Sequence, residues 1–298
     1  MREGHGAGGG RLSILAGAVI ISFAPVFVKI SGVGPASAGV YRLVFGGLAL
    51  AAFALLGRTA GAPSLPGRGR LGLAMAAAVL FALDLILWHR SIHQVGPGLA
   101  TVLANFQVFV LAVIGMVFLR ERPGPRFFLA AALAMAGIFL LVGADWRHLG
   151  PGYRLGVLEG LCAAVFYGGY LAVLRRVQQG HGHSEQVTGI ALVSLLSAVP
   201  MALMVLQQGE SLAIPDGRSL LVLLAYGVLC QGAGWMLISR GLPQVPVAVA
   251  GLTILMQPTL SFAWDVLFFG RPLRATDLLG AVLALAAIHL GSRSASKT

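Results

Sequence analysis

The sequence is poor in charge. Only 10% of its 298 residues are Asp, Glu, Lys or Arg, whereas 57% are hydrophobic, and the mean hydropathy is +0.87. Soluble domains carry roughly 25% charged residues, so a water-soluble fold of this length could not cover its surface. The low charge therefore excludes an ordinary soluble protein and indicates an integral membrane protein.

Cysteine and catalytic sequence patterns are also scarce. The two cysteines, Cys162 and Cys230, both lie in apolar segments, which argues against a disulfide framework or a zinc site. The sequence has no GxxxxGK[ST] loop, no HExxH and no Gly-x-Ser-x-Gly elbow. We therefore predict that the chain is not an enzyme, that it holds no cofactor or metal, and that a gradient rather than ATP supplies its energy.

Acidic residues are fewer than basic ones, and the net charge is +11. The basic residues lie in short connectors rather than in one patch or an aromatic-rich stripe, so the sequence predicts no nucleic-acid partner. If the connectors alternate between the two sides of a membrane, the side of the N-terminus receives nearly twice as many Lys and Arg residues as the other. Because positive connectors stay in the cytoplasm, both termini are predicted to be cytoplasmic.

Apolar stretches of the length that a bilayer requires, about 20 residues, recur along the whole chain. Turns rich in Gly and Pro, such as "VGPG" and "RERPGP", separate them. The ten predicted spans are residues 12–30, 35–57, 71–92, 97–119, 126–143, 154–175, 186–207, 218–239, 245–268 and 276–292. A flexible N-terminal tail (1–11) and a C-terminal tail (293–298) complete the chain, which leaves no room for a soluble domain.

The chain partly repeats itself at an offset of 150 residues. The segment that begins "QVGPGLATVLANFQ" at Gln94 aligns without a gap with "QVPVAVAGLTILMQ" at Gln244, and Gln107 aligns with Gln257. The offset corresponds to five spans, and an odd number makes the second half enter the membrane from the opposite side. The sequence therefore predicts an all-α membrane protein of two inverted five-helix repeats, residues 12–147 and 148–292, with a substrate site between them.

Several motifs carry a family resemblance that extends over nearly the whole chain. "SFAPVFVKI" is followed by "AGVYRLVFGGLALA", with Arg42 near the start of span two, and span four runs into "FLRERPGPRFFLAAALAMAGIFLL". These features resemble the drug/metabolite transporter superfamily in its EamA-type branch. Two departures are that the family's glutamate, Glu121, has Arg271 as its counterpart in the second copy, and that Val108 stands where the second copy has Pro258.

The resemblance implies a ten-span permease of the bacterial inner membrane. The chain looks most like bacterial exporters of amino acids, including aromatic ones, which implies efflux of small amphipathic metabolites by alternating access. Its partners would be such a substrate and the lipid bilayer, with proton coupling as an option. The alternative within the same fold is a multidrug or other metabolite exporter, or an importer.

Charged residues at membrane depth are costly, so they mark a cavity or a partner. Asp84 lies in span three, and Trp88 shares its helical face four residues on. Asp84 would attract a substrate amine or take up a proton, or else pair with Arg42 or Arg90. Arg42 would bind a substrate carboxylate, or else act in structural pairing or gating.

Glu159 and Asp265, near the outer ends of their spans, would be proton-coupling groups if burial raised their pKa. The other interpretation is that they reach water or lipid headgroups.

Amide side chains near the middle of spans four and nine form a second set. Asn105, Gln107 and Gln257 would hydrogen-bond a zwitterion, or else join two helices. Pro25 and Pro258 are predicted to break their helices, since proline cannot donate the helical bond, and Ser22 lies beside the first break.

Aromatic residues in spans six and eight complete the predicted site. Tyr167 and Tyr170 lie three residues apart, and Gln231 and Trp235 lie four apart, so each pair shares a helical face. They predict an aromatic cavity wall with a few polar groups. For Trp88 an interfacial belt is the alternative. Gly232 and Gly234 are predicted to form a hinge in span eight.

Overall fold

The computed structural model describes residues 3–56, 68–142, 151–180, 182–270 and 275–294. The chain is predominantly helical in these ranges, and they contain no strand. The helices are α1 (Glu3–Ile21), α2 (Ala24–Ile30), α3 (Pro35–Leu56), α4 (Arg68–Ala104), α5 (Gln107–Phe118), α6 (Pro125–Val142), α7 (Pro151–Gln178), α8 (His183–Gln207), α9 (Gly217–Ala225), a π-helix (Tyr226–Gly234), α10 (Trp235–Gly241), a 3₁₀ turn (Leu242–Gln244), α11 (Val247–Ile254), α12 (Met256–Phe269) and α13 (Ala275–Ser294).

Helical stretches in the described part of the chain are long and apolar enough to make it a multi-pass membrane protein. Seven qualify by length and composition: Gly8–Ile30, Pro35–Leu56, Gly69–Val95, Gly152–Gln178, Ser184–Gln207, Gly217–Gln244 and Val247–Phe269. Three shorter apolar helices accompany them: Gln107–Phe118, Pro125–Gly137 and Leu278–Ala287. The number of crossings, ten by the sequence analysis, stays a prediction.

Large apolar side chains cover much of the helix surface. Leu56 is 87% exposed, and Phe118, Leu221 and Leu267 are similarly open. Such a surface would be a liability in water, whereas lipid tails are as apolar as these side chains. The exposed faces are therefore suited to contact with lipid.

Two compact units make up the described chain. Unit 1 comprises the described residues of Met1–Ala82 and Val173–Gln244, and unit 2 those of Leu83–Ala172 and Val245–Thr298. Helices α4 and α7 contribute one part of their length to each unit. Each unit therefore contains segments from both halves of the sequence, and the predicted division into residues 12–147 and 148–292 stays a prediction.

Unit 1 is assembled through close backbone contacts at glycines. Helix α3 packs along α8 and against the π-helix, and α1 packs against α10 and the π-helix. A Cβ added to Gly46 would lie 2.6 Å from the Gly227 carbonyl oxygen, and one added to Gly17 would lie 2.5 Å from that of Gly234. Small residues let membrane helices approach this closely, and they bring side chains of α3 into reach of the π-helix.

Unit 2 packs α6 against α13 and α5 against α11 around a core of alanine, leucine and phenylalanine. A Cβ on Gly137 would lie 2.6 Å from both the Gly280 oxygen and the Ala284 nitrogen. Helices α4 and α7 meet through Gly156 and Gly160, where an added Cβ would lie 2.6 Å from Gln94 Cβ and 2.8 Å from a Leu103 methyl carbon, respectively. The pair forms a small-xxx-small contact.

The helix breaks lie where the prolines predict them. Helix α1 ends at Ile21, four residues before Pro25, and α11 ends at Ile254, four residues before Pro258. A proline ring clashes with the carbonyl four residues back, which accounts for both ends. The predicted turn at "VGPG" is wrong, because α4 continues through it to Ala104. One proline removes only one helical bond, a loss that membrane helices tolerate.

Candidate functional site

The predicted substrate-binding residues are divided between the two units. Unit 2 contains Asp84, Trp88, Asn105, Gln107, Tyr167, Tyr170 and Gln257, and unit 1 contains Ser22, Gln231 and Trp235. The residues predicted to gate or to form ion pairs are Arg42, Pro25, Gly232 and Gly234 in unit 1 and Pro258 in unit 2. The predicted site residues therefore do not all belong to one unit.

In unit 1, the side chain of Arg42 contacts two polar groups of the π-helix. Its Nε donates to Gln231 Oε1 at 3.0 Å, and its Nη1 lies 3.5 Å from the Tyr226 hydroxyl. The guanidinium carbon also lies 5.5 Å from the centroid of the Tyr226 ring, on which Phe27 stacks at 5.9 Å. A cation over an aromatic face is stabilised by the ring quadrupole. Arg42 is thus joined to Gln231, one of the predicted substrate-binding residues.

Gln231 is hydrogen-bonded at both ends of its amide. Besides accepting from Arg42, it donates through Nε2 to Ser194 Oγ at 2.8 Å, and both Gln231 and Ser194 are buried. These contacts agree with the interpretation of Arg42 as a structural pairing residue. They also link α3, α8 and the π-helix through one chain of hydrogen bonds.

The π-helix explains how Tyr226 and Gln231 both meet Arg42. Residues five apart point roughly 140° away from each other on an α-helix of 3.6 residues per turn, whereas a π-helix hydrogen-bonds residues that are five apart and so brings them nearer to one face. Gly227, Gly232 and Gly234 lie within this segment. Gly234 is packed so that an added Cβ would lie 2.5 Å from Ile21 Cγ1. The hinge predicted at these glycines stays a prediction.

The predicted aromatic residues are deeply placed within their units. Trp235 is 2% exposed and packs edge-to-face with Phe81 at 5.6 Å between ring centroids. Tyr170 is fully buried and stacks with the half-buried Tyr167 at 6.3 Å. Ser22 is also buried, and its hydroxyl donates to the Val19 carbonyl at the end of α1.

Asp84 is buried at 7% exposure. Trp88, one turn on, is half-buried and meets the ring of His89 edge-on at 5.1 Å. Arg90, one of the two predicted partners of Asp84, pairs with Glu159 instead, with 2.8 Å between Nε and Oε1. The roles predicted for Asp84 in substrate and proton handling stay predictions.

Glu159 lies at the small-residue contact between α4 and α7. It is 5% exposed and accepts from Gln94 Nε2 at 2.7 Å, in addition to its pair with Arg90. The interpretation that Glu159 reaches water or headgroups is therefore wrong, because Gly156 and Gly160 bring α4 close enough for two of its side chains to hold the carboxylate. The side chain of Asp265 lies outside the described part of the chain.

Two of the predicted amides lie at a helix break in unit 2. Helices α4 and α5 are separated by Asn105 and Phe106. Asn105 Nδ2 donates to the Thr101 carbonyl at 2.7 Å, one turn back. Gln107 is fully buried, and its Nε2 donates to the Gly251 carbonyl of α11 at 3.3 Å. The Gln107 amide therefore joins two helices, as the structural interpretation predicts, through its nitrogen.

Sequence reasoning missed several polar contacts whose partners are distant in the chain. Glu121 Oε1 accepts the Val247 N–H at 3.1 Å at the start of α11, so this carboxylate caps a helix 126 residues away. Tyr226, Ser194 and Gln94 were missed in the same way. Only the polarity of these residues within apolar runs could have singled them out. The described part of the chain contains no cluster of His, Cys, Asp and Glu that could hold a metal.

Comparison with known proteins decides the family. The model of the EamA-like transporter family matches twice, over residues 8–143 and again over residues 154–292. The chain belongs to the EamA-like transporter family. Together the two matches cover nearly all of the chain, one in each half of the sequence. Membership of this family identifies the chain as a membrane transporter.

Other transporters and a solved structure are similar to this family member. The Bacillus subtilis protein YwfM, described as an uncharacterized transporter, is 25% identical over 84% of this chain and 82% of its own length. An uncharacterized transporter of Archaeoglobus fulgidus is 27% identical over 95% of this chain and 96% of its own. A crystal structure titled only as that of a protein shares the fold, with a TM-score of 0.80 at 19% identity, covering 95% of this chain and 97% of the other.

Proposed function

We propose that this EamA-family transporter exports amino acids and related small amphipathic metabolites across the bacterial inner membrane by alternating access. The observation that carries the proposal is a pair of helix breaks at the repeat offset. Helices α4 and α5 are broken at Asn105–Phe106, and α11 and α12 are broken at Leu255, 150 residues after Asn105. Interrupted helices in corresponding positions of two halves are typical of substrate sites in secondary transporters.

The inverted repeat itself is part of this proposal, and two further observations support it. The EamA-like model matches each half of the sequence separately. The residues that follow spans four and nine, Arg120 and Gly270, both have positive φ, of 56° and 64°, and they too are 150 apart. We propose ten crossings with both termini cytoplasmic, since five spans per half invert the second copy.

The choice of substrate follows from the polar groups within the spans. Amides such as Gln107 and Gln257 offer hydrogen bonds without net charge, and the half-buried Tyr167 and Trp88 offer aromatic surface. A small zwitterion with an apolar side chain matches both properties. Asp84 would supply a negative charge for a substrate amine or for a coupled proton.

Transport in proteoliposomes tests the proposal. Vesicles containing the purified protein and labelled phenylalanine, leucine or a cationic dye are followed for counterflow and net efflux, with protein-free vesicles as the control. We expect saturable movement of the amino acids. Movement of the dye alone would favour the multidrug alternative, and uptake only against the expected direction would favour an importer. If no amino acid moves or competes, the proposal fails.

Proton coupling is tested by imposing a pH gradient on the same vesicles. If Asp84 takes up the coupled proton, efflux into a more acidic medium accelerates for the wild type and not for Asp84→Asn. Asp216→Asn, an exposed carboxylate before α9, is the matched control and should retain the response. A response of equal size in Asp84→Asn would remove Asp84 from the coupling mechanism.

A further inference from the structure

The two helix breaks of unit 2 leave backbone carbonyls without their usual helical donors. Leu255 donates its N–H to Leu252 and Thr253 rather than to Gly251, and the Gly251 carbonyl accepts Gln107 Nε2 in its place. Pro258 has no N–H, so Ile254 loses its donor four residues on. In the other break, Val108 donates to Asn105, three residues back, at 3.2 Å. The breaks thus create acceptors at membrane depth.

The orientation of the Gln107 amide is fixed by one of these acceptors. A carbonyl oxygen requires a donor, so the amide nitrogen Nε2 faces the Gly251 carbonyl, and Oε1 lies beside the same glycine, 3.3 Å from where a Cβ on Gly251 would be. Gln107 Oε1 is buried and has no hydrogen-bond partner among the described residues. A buried acceptor without a partner is destabilising unless a ligand or a water supplies a donor.

Gln257, the repeat counterpart of Gln107, presents the complementary group. Its Nε2 is buried and has no hydrogen-bond partner in the described part of the chain. It lies two residues after the break at Leu255, as Gln107 lies two residues after Asn105. Unit 2 therefore holds one unsatisfied acceptor and one unsatisfied donor, each at the start of a helix that follows a break.

From this arrangement we infer that Gln107 Oε1 accepts a hydrogen bond from the ammonium group of the transported amino acid, and that Gln257 Nε2 donates to its carboxylate. The inference rests on the proposed function, to which it adds the orientation of the substrate. The carbonyl of Ile254, released by Pro258, adds a second acceptor beside the break. The N-terminus of α12, where Gln257 lies, carries partial positive charge that favours the carboxylate.

Gln178 provides a matched comparison elsewhere in the chain. It too is fully buried, with Nε2 donating to the Gln186 carbonyl at 3.2 Å and Oε1 without a partner in the described residues. It lies at the end of α7, beside no helix break, and its counterpart at the repeat offset is the apolar Val28. Gln178→Met therefore controls for the loss of a buried amide as such.

The test compares three probes in counterflow with proteoliposomes: phenylalanine, 3-phenylpropionate, which lacks the ammonium, and phenethylamine, which lacks the carboxylate. Gln107→Met should lower kcat/KM for phenylalanine and phenethylamine about tenfold and leave that for 3-phenylpropionate nearly unchanged. Gln257→Met should lower the values for phenylalanine and 3-phenylpropionate and spare phenethylamine. A tenfold loss is the size expected when one hydrogen bond to a charged group is removed.

A second variant at position 107 keeps the inference testable if Gln107→Met does not fold. Gln107→Glu in its acid form still donates to Gly251 and still presents an oxygen, so it should retain the preference for probes that carry an ammonium. Equal losses for all three probes in Gln107→Met and Gln257→Met, or no loss, would overturn the inference while the transport of phenylalanine by the wild type upheld the proposed function. Failure of the wild type to move phenylalanine would overturn both.

Discussion

The segments predicted as spans three and eight align with each other at the offset of 150 residues, yet they differ in backbone and in chemistry. Residues 76–84 belong to the regular helix α4, whereas their counterparts 226–234 form a π-helix. Asp84 corresponds to Gly234, and Phe81 to Gln231. The helix breaks in spans four and nine, by contrast, are present in both halves. The feature that both halves share is thus the helix break. The features that differ are the carboxylate of Asp84 in the first half and the polar cluster around Gln231 in the second.

The two helix breaks also have different chemical causes. Pro258 accounts for the break at Leu255, but its counterpart Val108 has an N–H and donates it three residues back. Asn105, which bonds the Thr101 carbonyl through its side chain, occupies the first break. Side chains of this kind compete with helical hydrogen bonds. A break that survives without proline is a feature of the fold rather than of one residue.

The largest effect is expected where the two halves pack backbone against backbone. Gly137→Val would place side-chain atoms against Gly280 and Ala284, which cannot move away as a side chain could, and should destabilise the protein by about 3 kcal/mol. The counterpart position is Ala287, buried and already carrying a Cβ. Unfolding in mixed micelles titrated with SDS measures the change.

Ala287→Gly is the complementary change, because it removes one buried methyl and adds the flexibility of glycine. It should lower the free energy of unfolding by about 1–2 kcal/mol. Gly72→Val is the control, since a Cβ on Gly72 meets no atom within 4 Å. Equal losses in Gly137→Val and Gly72→Val would contradict a close α6–α13 contact.

The polar cluster of span eight should come next. Gln231→Leu removes the hydrogen bonds to Arg42 Nε and to Ser194 Oγ and leaves both partners inside unit 1, for a loss of about 2 kcal/mol. The exposed Gln208→Leu, measured by the same SDS titration, should be close to neutral. If Gln231→Leu proved as stable as the wild type, the hydrogen bonds of the cluster would make no net contribution to stability.

Exchanging the residue types at positions 120 and 270 tests whether both positions require a positive φ. Gly270→Arg should cost about 1 kcal/mol, because a side chain in the left-handed region is strained. Arg120→Gly removes that strain, and the gain is partly offset by the flexibility of glycine in the unfolded chain. The pair should shift thermal stability in detergent in opposite directions, and shifts of one sign would mean that these positions are not equivalent.

The smallest effect concerns pH at the start of span eight. The pKa of Asp216 is held below its ordinary value because its carboxylate accepts the Ser219 N–H at 2.7 Å. A depressed pKa stabilises the folded state above the unfolded pKa, near 3.9, and that stabilisation is lost as the pH falls through the folded pKa.

The stability of the wild type should therefore decline more steeply below pH 4 than that of Asp216→Asn, in thermal melts taken across the acid range. The first half has Pro66 at the equivalent position, so it has no corresponding carboxylate. Identical profiles would show that the cap is not formed in the folded protein.

The sequence predicted the ends of some helices and missed most of the contacts between helices. Span two, predicted as 35–57, is α3 from Pro35 to Leu56, because hydropathy and a proline at the first turn mark its ends. The π-helix was not predictable, since it brings Tyr226 and Gln231 together only against a third helix that carries Arg42. For Glu159, hydropathy gave its depth near the outer end of its span. Its two partners on α4 depend on a glycine contact that one helix alone does not reveal.

The chain has only two cysteines, and one of them lies inside the π-helix. Cys230 is fully buried, with its sulfur 3.6 Å from the Ile20 carbonyl of α1, whereas Cys162 is half-buried. With Cys162 replaced by serine, the rate at which a thiol reagent modifies Cys230 would follow the separation of α1 from the π-helix. The native sequence thus contains its own chemical reporter of motion in span eight.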